Sequence, residues 1–241
     1  MEIIKKISEK AKNIPSVKVP TIAFLGDSVT QGCFEIFMAE EKNYGSVFDH
    51  TNVYHNRVKE ILALLFPASP VNIINAGVGG ESAKDGLARL ERDVLAYSPD
   101  LAVVCFGLND SCFGEENLEN YINSLDAIFT ALREAGSEII FMTPNMMNTY
   151  TSYNIDPPML AGNSETALKA QMSGVFEMFL DNARALCEKR NVPVCDCYKK
   201  WKLMYESGVD ITSLMSNFVN HPIREMHWLF AGMLVDTMFE N

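Results

Sequence analysis

The stretch Thr21-Ile22-Ala23-Phe24-Leu25-Gly26-Asp27-Ser28-Val29-Thr30-Gln31-Gly32 opens with an apolar run and then breaks at Gly26-Asp27-Ser28. A buried parallel strand has such a run, and Gly followed by Asp is typical of a turn that leaves it. The pattern therefore places Ser28 at the carboxyl end of a strand. If a helix follows, its first N–H groups face the Ser28 side chain. Ser28 is then either a candidate nucleophile or simply the N-cap of that helix.

Apolar runs with turn residues after them recur along the chain and predict four more strands, at 71–74, 101–106, 138–142 and 192–195. Between and after these runs, apolar residues fall at helical spacing. The predicted helices cover 50–66, 83–96, 118–135, 165–190 and 196–206, with a last one after His221-Pro222. Alternating strands and helices predict an α/β fold with three layers and a doubly wound, mainly parallel five-stranded sheet. We expect a single domain over residues 1–241, of which 1–19 form an N-terminal extension.

Two segments show neither the helical nor the strand pattern of apolar residues. Residues 34–48 are expected to form a loop or insertion near the Ser28 end of the sheet. Residues 145–164 carry Pro157, Pro158 and Gly162 and predict a long loop. Long loops in compact domains are often functional lids, and a mobile surface loop is the alternative. The Met and Tyr residues between 146 and 153 are candidates for the lining of a pocket.

The composition limits the possible functions. The 241 residues are 48% hydrophobic, and 31 acidic against 20 basic residues give a net charge of −11. Such a surface repels nucleic acid and anionic membranes, so neither is an expected partner. No segment approaches the ~20 apolar residues that cross a bilayer, and Met1 to Pro20 resembles neither a signal peptide nor an anchor. We expect a cytoplasmic protein.

Three turns each follow the carboxyl end of a predicted strand and therefore lie at one edge of the sheet. Ligand crevices form outside this edge in parallel sheets. The three turns are the Ser28 turn, Gly77–Ser82 and Gly107–Asp110. A serine that attacks an ester carbonyl needs a base and an oxyanion hole. Gly80 offers an unobstructed N–H, and Asn109 offers a side-chain amide.

Of the four histidines, His221 alone stands in a loop before a proline, from which it can reach this edge. Its alternative role is that of a residue at the start of the last helix. His50 and His55 lie among polar residues near a helix start, and His227 lies within the final helix.

Two other motifs are weaker. Cys195-Asp196-Cys197 invites a metal or redox site, but a C-x-C without a second pair is a poor signal. Gly77, Gly79 and Gly80 suggest a dinucleotide-binding oxidoreductase, yet Ser82 stands where that motif requires glycine, and the motif should follow the first strand. No metal or organic cofactor is expected, and no disulfide framework in a reducing compartment.

The chain resembles the SGNH, or GDSL-like, hydrolases along nearly its whole length. Gly26-Asp27-Ser28 resembles the first block of that family and Asn75–Gly80 the second. Gly107–Asp110 resembles the third block, and His221-Pro222 the end of the fifth. The resemblance implies Ser28 as nucleophile and His221 as general base and then acid. It also implies the N–H groups of Ser28 and Gly80 and the Asn109 side chain as the oxyanion hole.

One position departs from the family. The family usually has an Asp three residues before the histidine, and here Phe218 stands there. Asn217, Asn220, a backbone carbonyl or Asp210 are the alternatives that remain to hold the imidazole. We predict a serine esterase for a small-molecule, short-chain ester, such as an acetylated sugar. An acyltransferase on the same fold, or a weakened or inactive ligand-binding domain, are the alternatives.

Overall fold

The computed structural model describes residues 1–40, 43–155 and 158–241. The strands are β1 (Thr21–Gly26), β2 (Cys33–Glu40), β3 (Asn43–Phe48), β4 (Asn72–Gly77), β5 (Leu101–Cys105), β6 (Glu138–Thr143) and β7 (Val194–Asp196). The helices are α1 (Glu2–Lys12), α2 (Ser28–Gln31), α3 (Tyr54–Leu65), α4 (Ala83–Asp93), α5 (Leu108–Cys112), α6 (Leu118–Glu134), α7 (Pro158–Met172), α8 (Val175–Arg190), α9 (Cys197–Glu206) and α10 (His227–Glu240).

Five strands form the central sheet in the order β4-β1-β5-β6-β7, and every neighbouring pair is parallel. The chain leaves β1 toward one edge to form β4, then crosses back past β1 to form β5. This reversal places the topological switch point between the carboxyl ends of β1 and β5, where ligands bind in such sheets. The predicted five-stranded parallel sheet is confirmed.

Successive side chains of each strand enter cores on opposite faces of the sheet, because a strand has a period of two. Ile22 and Phe24 of β1 lie in a core that also contains residues of α3 and α10. Ala23 and Leu25 lie in the other core, with residues of α4, α6 and α8. The sheet is therefore covered on both faces, as the predicted three-layer fold requires.

The predicted N-terminal extension contains α1, which packs into the first of these cores. Ile3 and Ile7 are fully buried there. The Glu138 carboxylate at the start of β6 accepts hydrogen bonds from the N–H groups of Glu2 and Ile3, at 2.9 and 2.6 Å. An acceptor at this position satisfies N–H groups that have no partner within the helix. Residues 2–12 are thus part of the packed structure.

Of the two alternatives for residues 34–48, a loop or an insertion, the loop is wrong, since the described part of this segment forms the antiparallel hairpin β2–β3. A β-bulge between Cys33 and Ile36 interrupts the regular pairing of these two short strands. A bulge shifts the two-residue side-chain period, which hid the strand from a search for alternation.

Two further expectations need correction. The helix predicted over 165–190 is two helices, α7 and α8, separated at Gly174, whose φ of 85° is left-handed and breaks the helical path. The predicted loop over 145–164 ends where α7 begins at Pro158, and Pro157 lies outside the described residues. Within the described ranges, no helix has the combination of length and apolar character that a membrane-spanning segment requires.

Candidate active site

Ser28 is the first residue of α2, directly after β1. The Asp27 carboxylate caps this helix by accepting a hydrogen bond from the Val29 N–H at 2.9 Å. The Asp110 carboxylate likewise accepts from the N–H groups of Gly107 and Ala83, at 3.0 and 2.9 Å. Both aspartates therefore fix the turns, and Ser28 itself is not the cap.

Ser28 and His221 are in direct contact although 193 residues separate them in the chain. The Ser28 Oγ lies 2.9 Å from the Nε2 of His221. The other ring nitrogen, Nδ1, lies 3.0 Å from the backbone carbonyl oxygen of Phe34. A carbonyl oxygen only accepts, so Nδ1 carries the proton and Nε2 is free to accept the Ser28 hydroxyl proton. This is the tautomer that a general base requires.

The Phe34 carbonyl is available because of the bulge in β2. The ladder of the hairpin pairs Cys33 with Phe48 and Ile36 with Ser46, so β2 has one extra residue between these pairs. An extra residue in a bulge is left out of the ladder and can direct its backbone groups elsewhere. Here the bulge directs the Phe34 carbonyl oxygen to the imidazole.

An ionic cluster joins this bulge to the His221 loop. Arg224 donates two hydrogen bonds to the Glu35 carboxylate, at 2.6 and 3.0 Å, and one to Asp49 at 2.9 Å. Its guanidinium also lies 4.3 Å from the centre of the Phe34 ring. A bidentate pair fixes geometry as well as charge. Arg224 therefore holds the strand that carries the carbonyl against the loop that carries the imidazole.

The sequence left several candidate groups to hold the His221 ring, and the one that the structure places beside the ring is a backbone carbonyl. Asn217 instead accepts three backbone N–H groups, including that of His221 at 3.0 Å. The Asp210 carboxylate accepts the hydroxyl hydrogen bond of Tyr150 at 2.9 Å. Phe218 has a left-handed φ of 57° and is half-buried. Asn217 thus stabilises the loop that carries His221, and the imidazole Nδ1 contacts a backbone carbonyl and not a carboxylate.

Gly80 and Asn109 line the same cavity as Ser28 and His221. Gly80 has a φ of 79°, a left-handed conformation that favours glycine. The turn before it is held by Gln31, whose Oε1 accepts the Gly79 N–H at 2.8 Å. Asn109 donates one amide N–H to the Glu81 carbonyl oxygen at 2.9 Å, which fixes its orientation and leaves its second N–H for another acceptor.

Close approach of two segments makes glycine necessary at position 77. A Cβ atom there would overlap the backbone of Thr30 and Gln31. The turn after β4 therefore packs directly on α2, and this contact brings Gly79 and Gly80 beside Ser28.

Burial dominates the electrostatics of the site. It lowers the pKa of His221 from 6.5 to about 4, because burial disfavours the charged imidazolium. Burial also raises the pKa of Asp27 to about 7 and that of Asp110 to about 6, against the effect of the backbone N–H groups that they accept. The His221 imidazole is consequently neutral at physiological pH.

The cavity at this site has a volume of about 460 Å³, near the lower end of the range for small-molecule sites. The expectation that Met146, Met147, Tyr150 and Tyr153 line it is wrong. Both methionines are buried, and the described lining on that side comes from α7. Residues of α7 and of the hairpin were missed because helical or strand periodicity reports burial and not proximity to a distant turn.

Cys195-Asp196-Cys197 is engaged in packing contacts. The Asp196 carboxylate accepts hydrogen bonds from Arg184, at 2.8 and 3.0 Å, and from the Thr143 hydroxyl at 2.9 Å. The two sulfur atoms are buried, 3.6 Å apart. In the described ranges, no cluster of three or more His, Cys, Asp or Glu side chains has the arrangement of a metal site.

Comparison with known proteins relates this chain to esterases. The family model of GDSL-like lipases and acylhydrolases matches residues 24–229. An acetylxylan esterase from Geobacillus stearothermophilus is 28% identical over 132 residues, which are 51% of this chain and 58% of the relative. An arylesterase from Vibrio mimicus is 26% identical over 141 residues, 56% of this chain and 62% of the relative. The chain thus spans about three fifths of the length of these relatives.

The fold is also similar to that of a solved esterase structure. A crystal structure of an acetylxylan esterase from Geobacillus stearothermophilus superimposes with a TM-score of 0.66 at 20% identity, covering 91% of this chain and 94% of that one. At this identity the likeness concerns the fold alone.

Proposed function

The chain belongs to the GDSL-like lipase/acylhydrolase family, and from this premise we propose that it is a serine esterase for small, short-chain carboxylic esters. The observation that carries the proposal is the contact between Ser28 Oγ and His221 Nε2 at 2.9 Å, with the Nδ1 proton held by the Phe34 carbonyl. A serine hydroxyl becomes nucleophilic when an oriented base accepts its proton.

The first half-reaction transfers the acyl group to the protein. Ser28 Oγ attacks the ester carbonyl while its proton passes to His221 Nε2. The developing oxyanion accepts hydrogen bonds from the N–H groups of Ser28 and Gly80 and from the Asn109 amide. When the tetrahedral intermediate collapses, the C–O bond to the alcohol breaks and the imidazolium returns its proton to the alcohol oxygen.

The second half-reaction releases the acid. Water enters where the alcohol left, loses a proton to His221 Nε2 and attacks the acyl-enzyme carbonyl. The collapse of this second intermediate returns the proton to Ser28 Oγ. Throughout, the Phe34 carbonyl holds the ring and stabilises the imidazolium as a neutral dipole, in the place where related sites use a carboxylate.

The substrate proposal is a short acyl group, such as acetyl, on an alcohol that includes carbohydrates. The cavity volume of about 460 Å³ supports a small substrate, and the similarity to an acetylxylan esterase supports a carbohydrate ester. We also propose a single domain and a cytoplasmic location, where free thiols are stable.

Hydrolysis of p-nitrophenyl acetate, butyrate and octanoate tests the activity. We expect the highest kcat/KM for acetate and a decline with chain length, because the similarity to an acetylxylan esterase favours an acetyl group. Acetyl transfer to an added alcohol, measured in the same reaction by chromatography, separates a hydrolase from an acyltransferase. A preference for octanoate would contradict the short-chain proposal.

The pH dependence follows from the lowered pKa of His221. The neutral form is the base, and with a pKa of about 4 it persists well below the ordinary value of 6.5. We therefore expect kcat/KM for p-nitrophenyl acetate to stay level from pH 7 to about 5 and to fall to half near pH 4. A midpoint at 6.5 or above would contradict the lowering of the His221 pKa by burial.

Acid unfolding must be separated from this titration. Burial also lowers the pKa of His55 to about 4 and that of His227 to about 3. The unfolded chain then binds more protons than the folded one below pH 6.5, so these residues reduce the free energy of unfolding as the pH falls toward 3. Circular dichroism at each pH identifies the range in which the rate reports His221 in folded protein.

A further inference from the structure

The cavity has two walls on different elements. The hairpin wall contains Ile36, Ser46 and Phe48, and the amide wall contains Asn163, Thr166 and Asn220 together with the apolar Leu160, Ala167 and Val219. Phe48 is 48% exposed although it lines the cavity. The ring stacks on His50, with centroids 6.3 Å apart and planes 21° from parallel, so one face is occupied and the other remains for a ligand.

The register of the hairpin shows that the apolar wall continues outward. Ile36 pairs with Ser46, and Met38 pairs with Tyr44. Side chains on directly opposite residues share a face, and so do residues two apart on one strand. Tyr44 and Met38, each 40% exposed, therefore extend the face of Ile36 and Phe48 away from Ser28. The four steps along the strand from Tyr44 to Phe48 correspond to about 13 Å.

Phe37 lies on the opposite face of the same hairpin. It is 42% exposed and covers Gly45, where an added Cβ atom would overlap the Phe37 ring. Phe37 is absent from the described cavity lining. The hairpin thus carries two phenylalanines of similar exposure, one in the cavity and one outside it.

The amide wall offers donors and acceptors without charge. Asn163 and Thr166 lie three residues apart on α7, so they share one face of that helix. Asn220 adds a second amide beside His221. Among the described lining residues there is no Lys, Arg, Asp or Glu, and the chain as a whole carries a net charge of −11. A negatively charged ligand would find repulsion at long range and no cation within the cavity.

We propose that the alcohol part of the ester is an uncharged sugar ring, bound with its apolar C–H face on Phe48 and its hydroxyl groups toward Asn163 and Asn220. This inference rests on the proposed esterase function and names its substrate class. An acyl chain in the same place would leave the amide wall without partners, whereas a sugar ring has both an apolar face and hydroxyl groups. Tyr44 extends the platform for a neighbouring ring.

The test compares Phe48→Ala and Asn163→Ala with wild type on two acetyl esters, a monoacetylated methyl xyloside and ethyl acetate. We expect kcat/KM for the sugar ester to fall roughly tenfold in each variant, mainly through KM, and by a much larger factor than kcat/KM for ethyl acetate. Phe37→Ala is the matched control and is expected to keep the wild-type ratio between the two substrates. Melting temperatures confirm that each variant is folded.

Equal losses on both esters in Phe48→Ala would overturn the inference, as would the same change of ratio in Phe37→Ala. Ethyl octanoate serves as a third substrate, and a loss in Phe48→Ala confined to it would assign the hairpin wall to the acyl chain and also overturn the inference. If wild type hydrolyses no ester, the proposed function fails, and calorimetric titration with xylotriose tests the sugar site directly. Binding that Phe48→Ala abolishes would support the site, and no binding by wild type would overturn it.

Discussion

Replacement of Ser28 by alanine is expected to lower kcat for p-nitrophenyl acetate by about 10⁴-fold or more. The change removes one oxygen atom, whose hydrogen-bond partner in the described structure is His221 Nε2 at 2.9 Å. The Asp27 cap of α2 does not involve the Ser28 side chain, so we expect the fold to persist. Covalent labelling by a fluorophosphonate probe is expected to disappear together with turnover.

Ser124→Ala provides the matched control for this experiment. Ser124 is 5% exposed and Ser28 is 7% exposed, but Ser124 lies on α6 and donates to the Asn120 carbonyl oxygen at 2.7 Å. Labelling and kcat should remain at the wild-type level in this variant. Labelling or turnover that survives in folded Ser28→Ala would show that another residue is the nucleophile.

The second large effect is expected for His221→Ala. Without the base, the Ser28 hydroxyl keeps its proton, and kcat is expected to fall by about 10⁴-fold or more. The loop should retain its shape, because its hydrogen bonds involve the backbone of His221. Its N–H donates to Asn217 Oδ1 at 3.0 Å, and its carbonyl oxygen accepts from the Ser216 N–H at 2.7 Å.

Chemical rescue distinguishes a base from a structural residue. Truncation to alanine leaves an imidazole-sized space between Ser28 and the Phe34 carbonyl, the two groups that orient the native ring. Added imidazole is therefore expected to restore part of the turnover in His221→Ala and none in Ser28→Ala. A His221→Ala enzyme with kcat within about tenfold of wild type would contradict the proposed role.

Much of the fold was predictable because its signals are local. The apolar runs of β1 and β5 are buried on both faces, so they appear in the sequence as continuous hydrophobic segments. The turns after them contain Gly, Asp and Asn, residue types that turns favour. These local signals indicated the sheet edge and the four candidate residues Ser28, Gly80, Asn109 and His221.

The hairpin and the break before Gly174 were not predictable in the same way. A bulge and a left-handed glycine interrupt the period on which the prediction depended. The two walls of the cavity were also missed, since Phe48 and Asn163 are exposed residues whose sequence neighbours give no sign of a ligand.

The sequence by itself determined the layers of the fold, the edge at which the turns meet and the absence of an aspartate three residues before His221. Only the tertiary structure decided what replaces that aspartate. The Phe34 carbonyl reaches His221 across 187 residues of chain, and every residue type carries a backbone carbonyl, so no side-chain pattern could indicate this one. Its position depends on a bulge in β2 and on the contacts of Arg224 with Glu35 and Asp49, which exist only once the hairpin has packed against the last loop.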